Sequence, residues 1–421
     1  MQITLFGVIW NVNIIYCMLA KDYRKMVLLT LISFVLQCNN VWVVAGTGVG
    51  VQAYTVAFCC IRLLFVRAKN DNKPIRMQRI GLVILFLSIL VSLLCNNEII
   101  ANKLIDLLLL FVYILFVGFL LKGKVVVSEE WLEKAENRII YLVLTVGFFQ
   151  VLCKMGVLPI STILQHLFYN DISNSNAIFN YKSTWAFYST FMEPSYCGAF
   201  LVGAFSCVVS RKQQTKRNVR IAFLLVVAIL FTKSSTAYGG LAIVLAILCM
   251  ARTSNLYMKI IFPIVGIGGL LFFVFGFDIV NEIIFQKSST VSYRVRNRLN
   301  RSAIEVFINN IWLGIGYKNI RASSLVLSLL AEVGLIGFCS YSICILSYLR
   351  PLFRRENINN LKGHSMMILA IMVCQTIACP DLNFCVLWMS LSLFAIGVHC
   401  NDDPDDISKK FGVEKPYTIY F

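Results

Sequence analysis

Charged residues are scarce in this sequence. Asp, Glu, Lys and Arg make up only 14% of the 421 residues, whereas 58% of the residues are hydrophobic. The mean hydropathy of +0.76 is far above the range that the surface of a water-soluble domain tolerates. The composition therefore excludes an ordinary soluble enzyme and predicts a polytopic integral membrane protein with an all-α fold.

Histidine is also rare, and no two of the three histidines, His166, His364 and His399, stand at the spacing of metal ligands. The 15 cysteines lie mostly singly inside apolar runs, which favours small side chains packed between helices over a zinc or redox motif. We therefore expect neither a metal site nor a cofactor. Residues 1–20 lack a basic n-region and a cleavage site, so we expect a retained membrane span there.

Apolar stretches predict about 12 or 13 membrane spans in a single membrane domain that comprises residues 1–421. Several stretches are shorter than the roughly 20 residues that a perpendicular helix needs, so some are expected to bend or to re-enter the membrane. The predicted spans cover residues 1–20, 26–44, 50–66, 80–95, 104–121, 139–158, 191–209, 221–233, 236–251, 260–277, 324–349, 366–379 and 384–399.

The net charge of +17 would suggest nucleic acid as a partner of a soluble protein, but in a membrane protein basic residues mainly set the topology. Assigning the linkers alternately to the two sides places 27 of the 38 Lys and Arg residues on one side. Because basic residues concentrate in the cytoplasm, this side is cytoplasmic. We therefore expect an external N-terminus, a cytoplasmic C-terminus and no nucleic-acid partner.

Two predicted external loops are long enough to hold a site. The loop at 159–190 is rich in Asn, Ser and Tyr, whereas the basic loop at 278–323 carries seven of the eleven external Lys and Arg residues. Positive charge in an external loop opposes the usual insertion preference. Membrane topology therefore does not explain the basic loop.

Three arginines in the basic loop, Arg294, Arg298 and Arg301, are spaced i, i+4 and i+7 and would share one face of a helix. This arginine row is suited to a phosphate or diphosphate, because each guanidinium can donate two parallel hydrogen bonds. A solvated face that touches lipid headgroups is the alternative. Since positive charge is otherwise rare on this side, we interpret the row as an anion site.

The segment IWLGIGYKN (311–319) follows the arginine row, and its two glycines permit a tight turn and a close approach of the backbone. It leads into a span that contains Glu332. An ionisable side chain inside a span is expected to face the bundle interior or a wet cavity. Glu332 is therefore a further candidate site residue, and a structural, hydrogen-bonded role is the alternative.

Two further polar positions stand at the predicted external ends of spans. Glu193 precedes Pro194, which predicts that Glu193 lies at the cap of a helix, where it either caps the helix or acts as a base. In FTKSSTAYGGL (231–241), Lys233 lies among hydroxyl side chains at a turn and could contact an anion. The alternative for Lys233 is a lysine that snorkels toward water.

The order of these motifs resembles the O-antigen polymerase and O-antigen ligase superfamily of bacterial polysaccharide assembly. The resemblance covers about residues 180–400 and consists of FMEPSYCGAF, TKSSTAYGGL, the arginine-rich segment, NNIWLGIGYKN and LLAEVGLIGF. In ligases of the superfamily a His-Asn pair precedes the stretch equivalent to LLAE, whereas Ser323 and Ser324 take that place here. The resemblance therefore favours a polymerase of repeat units over a ligase.

The resemblance implies a metal-independent glycosyltransferase with a GT-C-like helical fold in the bacterial cytoplasmic membrane. It would join oligosaccharide units carried on polyprenyl diphosphate at the outer face, for O-antigen, capsule or another envelope polysaccharide. Glu193 would activate the acceptor hydroxyl, and the arginine row, with Arg321 or Lys233, would hold the donor diphosphate. The expected partners are the lipid-linked donor and acceptor, the bilayer and a regulator of chain length.

A flippase for the same lipid-linked sugars is the alternative from another class of protein. It would predict charged residues in the middle of several spans and two related halves. The sequence instead concentrates charge in one external loop, and its halves show no similarity. An O-antigen ligase would share the polymerase fold and differ in the acceptor.

Overall fold

A computed structural model describes residues 2–44, 47–66, 76–96, 101–121, 124–158, 160, 163, 167, 186–211, 214–250, 291–353, 361–398 and 400. Within these residues the fold is almost entirely helical, which confirms the predicted all-α class. The predicted span at 260–277, most of the loop at 159–190, and His166 and His399 lie outside the described residues.

The described residues form thirteen α-helices, and a π-helical turn at Phe116–Leu120 directly follows the fifth. In chain order the helices are α1 (Leu5–Leu19), α2 (Arg24–Ser33), α3 (Val51–Leu64), α4 (Arg76–Cys95), α5 (Ala101–Leu115), α6 (Glu129–Lys154), α7 (Pro194–Val209), α8 (Lys216–Phe231), α9 (Ser235–Met250), α10 (Val291–Asn309), α11 (Leu325–Phe353), α12 (Leu361–Ile377) and α13 (Cys385–Gly397).

Four helical segments among the described residues are long and apolar enough to cross a membrane: Gln78–Cys95, Lys103–Leu120, Glu129–Lys154 and Leu325–Phe353. Large apolar side chains are exposed on the outward faces of α4 and α5, among them Ile84, Leu87, Leu94, Ile105 and Leu108. Such a surface is stable in lipid and not in water. The fold therefore defines a helical membrane protein, while the number of 12 or 13 spans and the GT-C-like arrangement stay predictions.

Several helices begin at side chains that accept hydrogen bonds from the first turn. Thr4 caps α1 by accepting from the N–H of Gly7, and Ser128 caps α6 by accepting from the N–H of Trp131. Thr215 does the same for α8. These caps satisfy backbone donors that have no partner inside the helix, so the sequence itself sets where these helices begin.

A small antiparallel sheet replaces part of one predicted span. Helix α2 ends at Ser33, and the chain then forms strand β2 (Asn40–Val44), which pairs with β1 (Gln2–Ile3) and β3 (Thr47–Gly50) in the order β1-β2-β3. The prediction of a continuous span at 26–44 is therefore wrong. Polar residues at 37, 39 and 40 interrupt the apolar run, and the β-branched residues of NVWVV favour a strand.

Helix α7 is buried along almost its whole length and packs against α8, α9 and α12. Small residues allow the close approach: a Cβ on Gly198 would lie 2.5 Å from the Cβ of Ala237, and one on Gly203 would lie 3.0 Å from Ile371. Within a membrane, close backbone packing of this kind holds helices together. Ala199 and Gly203, which stand four residues apart on this helix, are both buried.

The two ends of α7 lie at two separate polar clusters. Segments that the sequence assigns to the cytoplasm meet at the C-terminal end of α7, where Arg211 contacts Glu136 of α6 and Asn218 of α8. Segments assigned to the external side meet at the N-terminal end, near Glu193. Segments that the charge distribution assigns to the same side of the membrane thus lie close together in the structure. Which end of α7 faces the cytoplasm and which faces the outside stays a prediction.

Helix α11 is broken at Gly334, whose φ of 64° and ψ of −167° are not helical. The 311–316 segment fills the break. The N–H groups of Ile315 and Gly316 donate to the carbonyls of Ala331 and Glu332, and the N–H of Leu335 donates to the carbonyl of Ile311. Backbone groups released by the break therefore find partners within the protein, which is how a membrane helix tolerates an interruption.

Replacing Gly334 with Ala should destabilise the protein strongly. Its backbone conformation is almost confined to glycine, and an added Cβ would lie 2.3 Å from the carbonyl oxygen of Trp312. We expect Gly334→Ala to lower the free energy of unfolding by more than about 3 kcal/mol. The measurement is thermal unfolding of the purified protein in detergent.

Gly156→Ala is the matched control, because Gly156 also has a positive φ of 75° but has nothing within 4 Å of an added Cβ. This variant should lose only about 1–2 kcal/mol, the strain of a left-handed backbone. Equal losses in the two variants would contradict the role assigned to the contact between Gly334 and Trp312.

Candidate functional site

Glu193 is the N-cap of α7, as the sequence predicts. Its backbone is extended, with φ −141° and ψ 151°, and Pro194 occupies the first turn. Within the described part of the chain, the carboxylate makes no capping hydrogen bond to that turn, and Oε2 instead accepts from the Ser195 hydroxyl at 3.1 Å. Glu193 therefore marks the start of the helix through its backbone, while its half-buried carboxylate makes no capping hydrogen bond to that helix.

Lys318 joins three elements beside this end of α7. Its Nζ lies 2.8 Å from Oδ2 of Asp106, near the start of α5, and 3.9 Å from Oδ1 of Asp381, in the loop between α12 and α13. The neighbouring Asn319 accepts a hydrogen bond from Lys103. All these side chains are polar and partly open to solvent, so they line a mixed-charge surface rather than a closed core.

Glu332 and Tyr317 lie beneath this surface. The Glu332 carboxylate is buried and accepts a hydrogen bond from the backbone N–H of Lys318, which fits the structural alternative for this residue. The Tyr317 hydroxyl is buried and has no hydrogen-bond partner among the described residues. Burial, together with nearby Asp381, Glu332 and Asp106, raises the pKa of Tyr317 well above its ordinary value, so the hydroxyl stays a donor.

Two arginines from the basic loop reach the surroundings of Glu193. Tyr196, in the first turn of α7, lies within electrostatic range of both Glu193 and Arg321. Cys379 lies within range of both Glu193 and Arg296. Each arginine thus shares one electrostatic neighbour with Glu193: Arg321 shares Tyr196, and Arg296 shares Cys379.

Asn300 of α10 helps to place this part of the basic loop. Its Oδ1 accepts hydrogen bonds from both the backbone N–H and the hydroxyl of Ser323, each at 2.9 Å. These bonds tie the Arg321 loop to α10, the helix that carries Arg296. Arg296 on α10 and Arg321 in the following loop are therefore held in place relative to each other by these hydrogen bonds.

Backbone strain is concentrated at the same end of the molecule. Among the described residues, four non-glycine residues have a left-handed φ: Ser189 (48°), Lys233 (50°), Lys318 (59°) and Cys379 (69°). Lys233 is exposed at the turn before α9, where the Phe231 carbonyl accepts from the N–H of Phe187. Conformations of this kind cost about 1–3 kcal/mol each and cluster at functional sites.

The arginine row faces away from this cluster. Arg294, Arg298 and Arg301 are exposed, while the opposite face of α10 packs through Ala303 against Ala322 and Ala331. Arg296 is half-buried on the packed face. Arg296 and Arg321, rather than the row, therefore share electrostatic neighbours with Glu193. The binding of a diphosphate by the row itself stays a prediction.

The i, i+4, i+7 pattern of the arginine row does not include Arg296, so the pattern did not predict a role for this residue. A residue two positions after Arg294 lies about 200° around a helix from it, so the two point in nearly opposite directions. Ala303 stands seven residues after Arg296 and therefore lies on the same face of the helix. This small residue is the feature of the sequence that indicates the packed side of α10. The Lys318 pairing had no such local signal, because Asp106 and Asp381 are far away in the sequence.

A second polar cluster lies at the other end of α7 and is fully buried. The Glu136 carboxylate contacts His364 Nε2 at 2.5 Å through Oε1 and accepts from Arg211 Nη2 at 2.8 Å through Oε2. Arg211 also donates to Asn137 and Asn218, both at 3.0 Å. This network ties α6, α8 and α12 to the end of α7.

Glu136, Cys207 and His364 together offer three metal-ligand atoms within 4.8 Å of one another. However, both oxygens of Glu136 already contact His364 and Arg211, and the guanidinium would repel a cation. The arrangement therefore fits an ion-pair network better than a metal site. No sequence spacing could have indicated it, because the three residues come from three separate helices.

No model of a known protein family matches this chain, and no curated protein matches it either.

Removing one member of the buried network should destabilise the protein. Arg211→Met leaves the Glu136 charge without the guanidinium that compensates it, in a site where Arg211 is only 3% exposed. We expect a loss of about 3–5 kcal/mol in the free energy of unfolding. Thermal unfolding in detergent measures it.

Arg220→Met is the matched control, since Arg220 is exposed on α8. The control should change stability by less than about 0.5 kcal/mol. If Arg211→Met has an effect as small as that of the control, water rather than the protein stabilises the negative charge of Glu136.

Proposed function

We propose that this protein is a polymerase that joins oligosaccharide repeat units carried on polyprenyl diphosphate. The observation that supports the proposal is that Glu193 shares an electrostatic neighbour with each of two arginines, Tyr196 with Arg321 and Cys379 with Arg296. An acid with guanidinium groups in its electrostatic surroundings suits a reaction in which a hydroxyl loses a proton and a diphosphate leaves. The order of the sequence motifs supports the same reaction.

In the proposed reaction, an acceptor sugar hydroxyl attacks the anomeric carbon of the donor glycan. The new glycosidic bond forms as the bond between that carbon and the diphosphate oxygen breaks. Glu193 takes the hydroxyl proton, and Arg296 and Arg321 neutralise the charge that develops on the lipid diphosphate. Lys233, at the neighbouring turn, is a further candidate contact for the diphosphate.

The proposed location is the outer face of the bacterial cytoplasmic membrane, with the N-terminus outside and the C-terminus inside. The Glu193 cluster lies among segments that the charge distribution assigns to the external side. Both lipid-linked substrates would reach this level from within the bilayer. The product would be O-antigen, capsule or another envelope polysaccharide. Which of these it is depends on the chemistry of the repeat unit that is supplied.

The alternative of a flippase receives less support from the distribution of charge. Helix α7, the buried helix that connects the two polar clusters, carries no charged side chain between Pro194 and Val209. A polar head group that crossed the membrane beside this helix would meet an apolar surface along most of its length. In the described part of the chain, Glu193 lies at one end of α7, and Arg211 with Glu136 lies at the other.

The proposal is tested by reconstituting the purified protein in liposomes with a lipid-diphosphate-linked repeat unit and separating the products on a gel. The wild-type protein should give a ladder of chain lengths. Arg296→Gln, Arg321→Gln and Glu193→Gln should each lower the rate of polymerisation by about 10²–10³-fold, the usual loss when one charge-stabilising or proton-accepting group is removed.

Arg298→Gln is the matched control, because it removes the same charge from the same helix but from its outward face. It should keep the rate within about threefold of the wild type, as expected of a surface change away from the site. If the ladder persists in Arg296→Gln and disappears in Arg298→Gln, the diphosphate binds to the arginine row and not to Arg296. Movement of the substrate across the bilayer without a ladder would indicate the flippase.

A further inference from the structure

The outward face of α10 is strongly basic. Arg294, Arg298 and Arg301 are all exposed on it, and Glu305 is the one acidic residue that shares this face of the described helix. The face therefore carries a net positive charge over three turns. A row of guanidinium groups spaced in this way matches phosphate groups arranged on a surface rather than one phosphate in a pocket.

Large apolar side chains lie directly beside this basic face. Ile304 is 43% exposed and Ile308 is 62% exposed, and both stand on the flank of the helix next to Arg301. Just after the helix, Trp312 is 66% exposed. A basic stripe flanked by exposed Ile and Trp is typical of helices that lie at a membrane surface, where the apolar groups enter the lipid and the arginines stay among the headgroups.

The position of α10 places this face at the end of a membrane-spanning helix. Its packed face contacts Ala322, three residues before α11, and Ala331, in the second turn of α11. Because α11 is one of the helices long and apolar enough to cross the membrane, its first turns lie near the headgroup level. The basic face of α10 is thus held at the depth where lipid phosphates occur.

From these observations we propose that the outward face of α10 docks on anionic phospholipid headgroups of the surrounding bilayer. Arg298 and Arg301 bind the lipid phosphates, and Ile308 and Trp312 insert among the upper parts of the acyl chains. The docking fixes α10 against the membrane and thereby the loop that carries Arg321. This inference does not depend on the reaction that the protein catalyses.

The test uses hydrogen–deuterium exchange of the full-length protein in lipid nanodiscs. Discs of phosphatidylcholine are compared with discs that also contain phosphatidylglycerol, and the amide protection of residues 294–312 is measured. Contact of two arginines with an anionic surface should raise protection by about fivefold for each arginine, or roughly 25-fold in total. The increase should shrink at high salt, because salt screens exposed charges.

Arg298→Gln with Arg301→Gln should remove most of this lipid-dependent protection. The matched control is Arg217→Gln with Arg220→Gln, which removes two exposed arginines from α8 and should leave the response of residues 294–312 unchanged. Both double variants alter the net charge equally. A difference between them therefore reports on the α10 face and not on the charge of the whole protein.

Three outcomes would overturn the proposal: protection that is the same with and without phosphatidylglycerol, an equal response of the two double variants, or protection in neutral discs on addition of polyprenyl diphosphate alone. The last result would assign the arginine row to the donor substrate. The polymerisation ladder is measured separately, so a failure of the proposed reaction does not decide the lipid contact.

Discussion

Polar groups that lie between apolar helices have to find partners within the protein, and the described structure depends on this constraint. An unpaired backbone group or charge in such surroundings costs several kcal/mol. The break at Gly334 is stable because the 311–316 segment supplies donors and acceptors to the open turn. The charge of Glu136 is stable at the other end because Arg211 and His364 enclose it.

The two polar regions are connected by one buried helix. Helix α7 packs closely on its neighbours through glycine and alanine, so its position along the bundle is fixed by contact rather than by polar bonds. Its N-cap residue, Glu193, lies in one polar region, and Arg211, two residues after its end, lies in the other. Any displacement of α7 would therefore affect both regions together.

The basic loop illustrates how a helix divides charge between two roles. Four arginines between 294 and 301 look alike in the sequence, yet the packing of Ala303 turns Arg296 inward and leaves the row facing out. In the proposed reaction the inward arginine binds the diphosphate, and in the proposed lipid contact the outward row binds the phosphates of the membrane surface. The same chemistry can thus serve substrate binding and membrane contact on opposite faces of one helix.

The sequence by itself determined the membrane class, most helix positions and the placement of Glu193 at a helix cap, because apolar runs, Pro194 and capping side chains act locally. Only the tertiary structure decided how the strand at Asn40–Val44 pairs with its two neighbours, what the inward face of α10 contacts, and the network of Glu136, Arg211 and His364. Glu136 and His364 are 228 positions apart, and their contact follows from which helices pack together. No periodicity within a single helix encodes that choice.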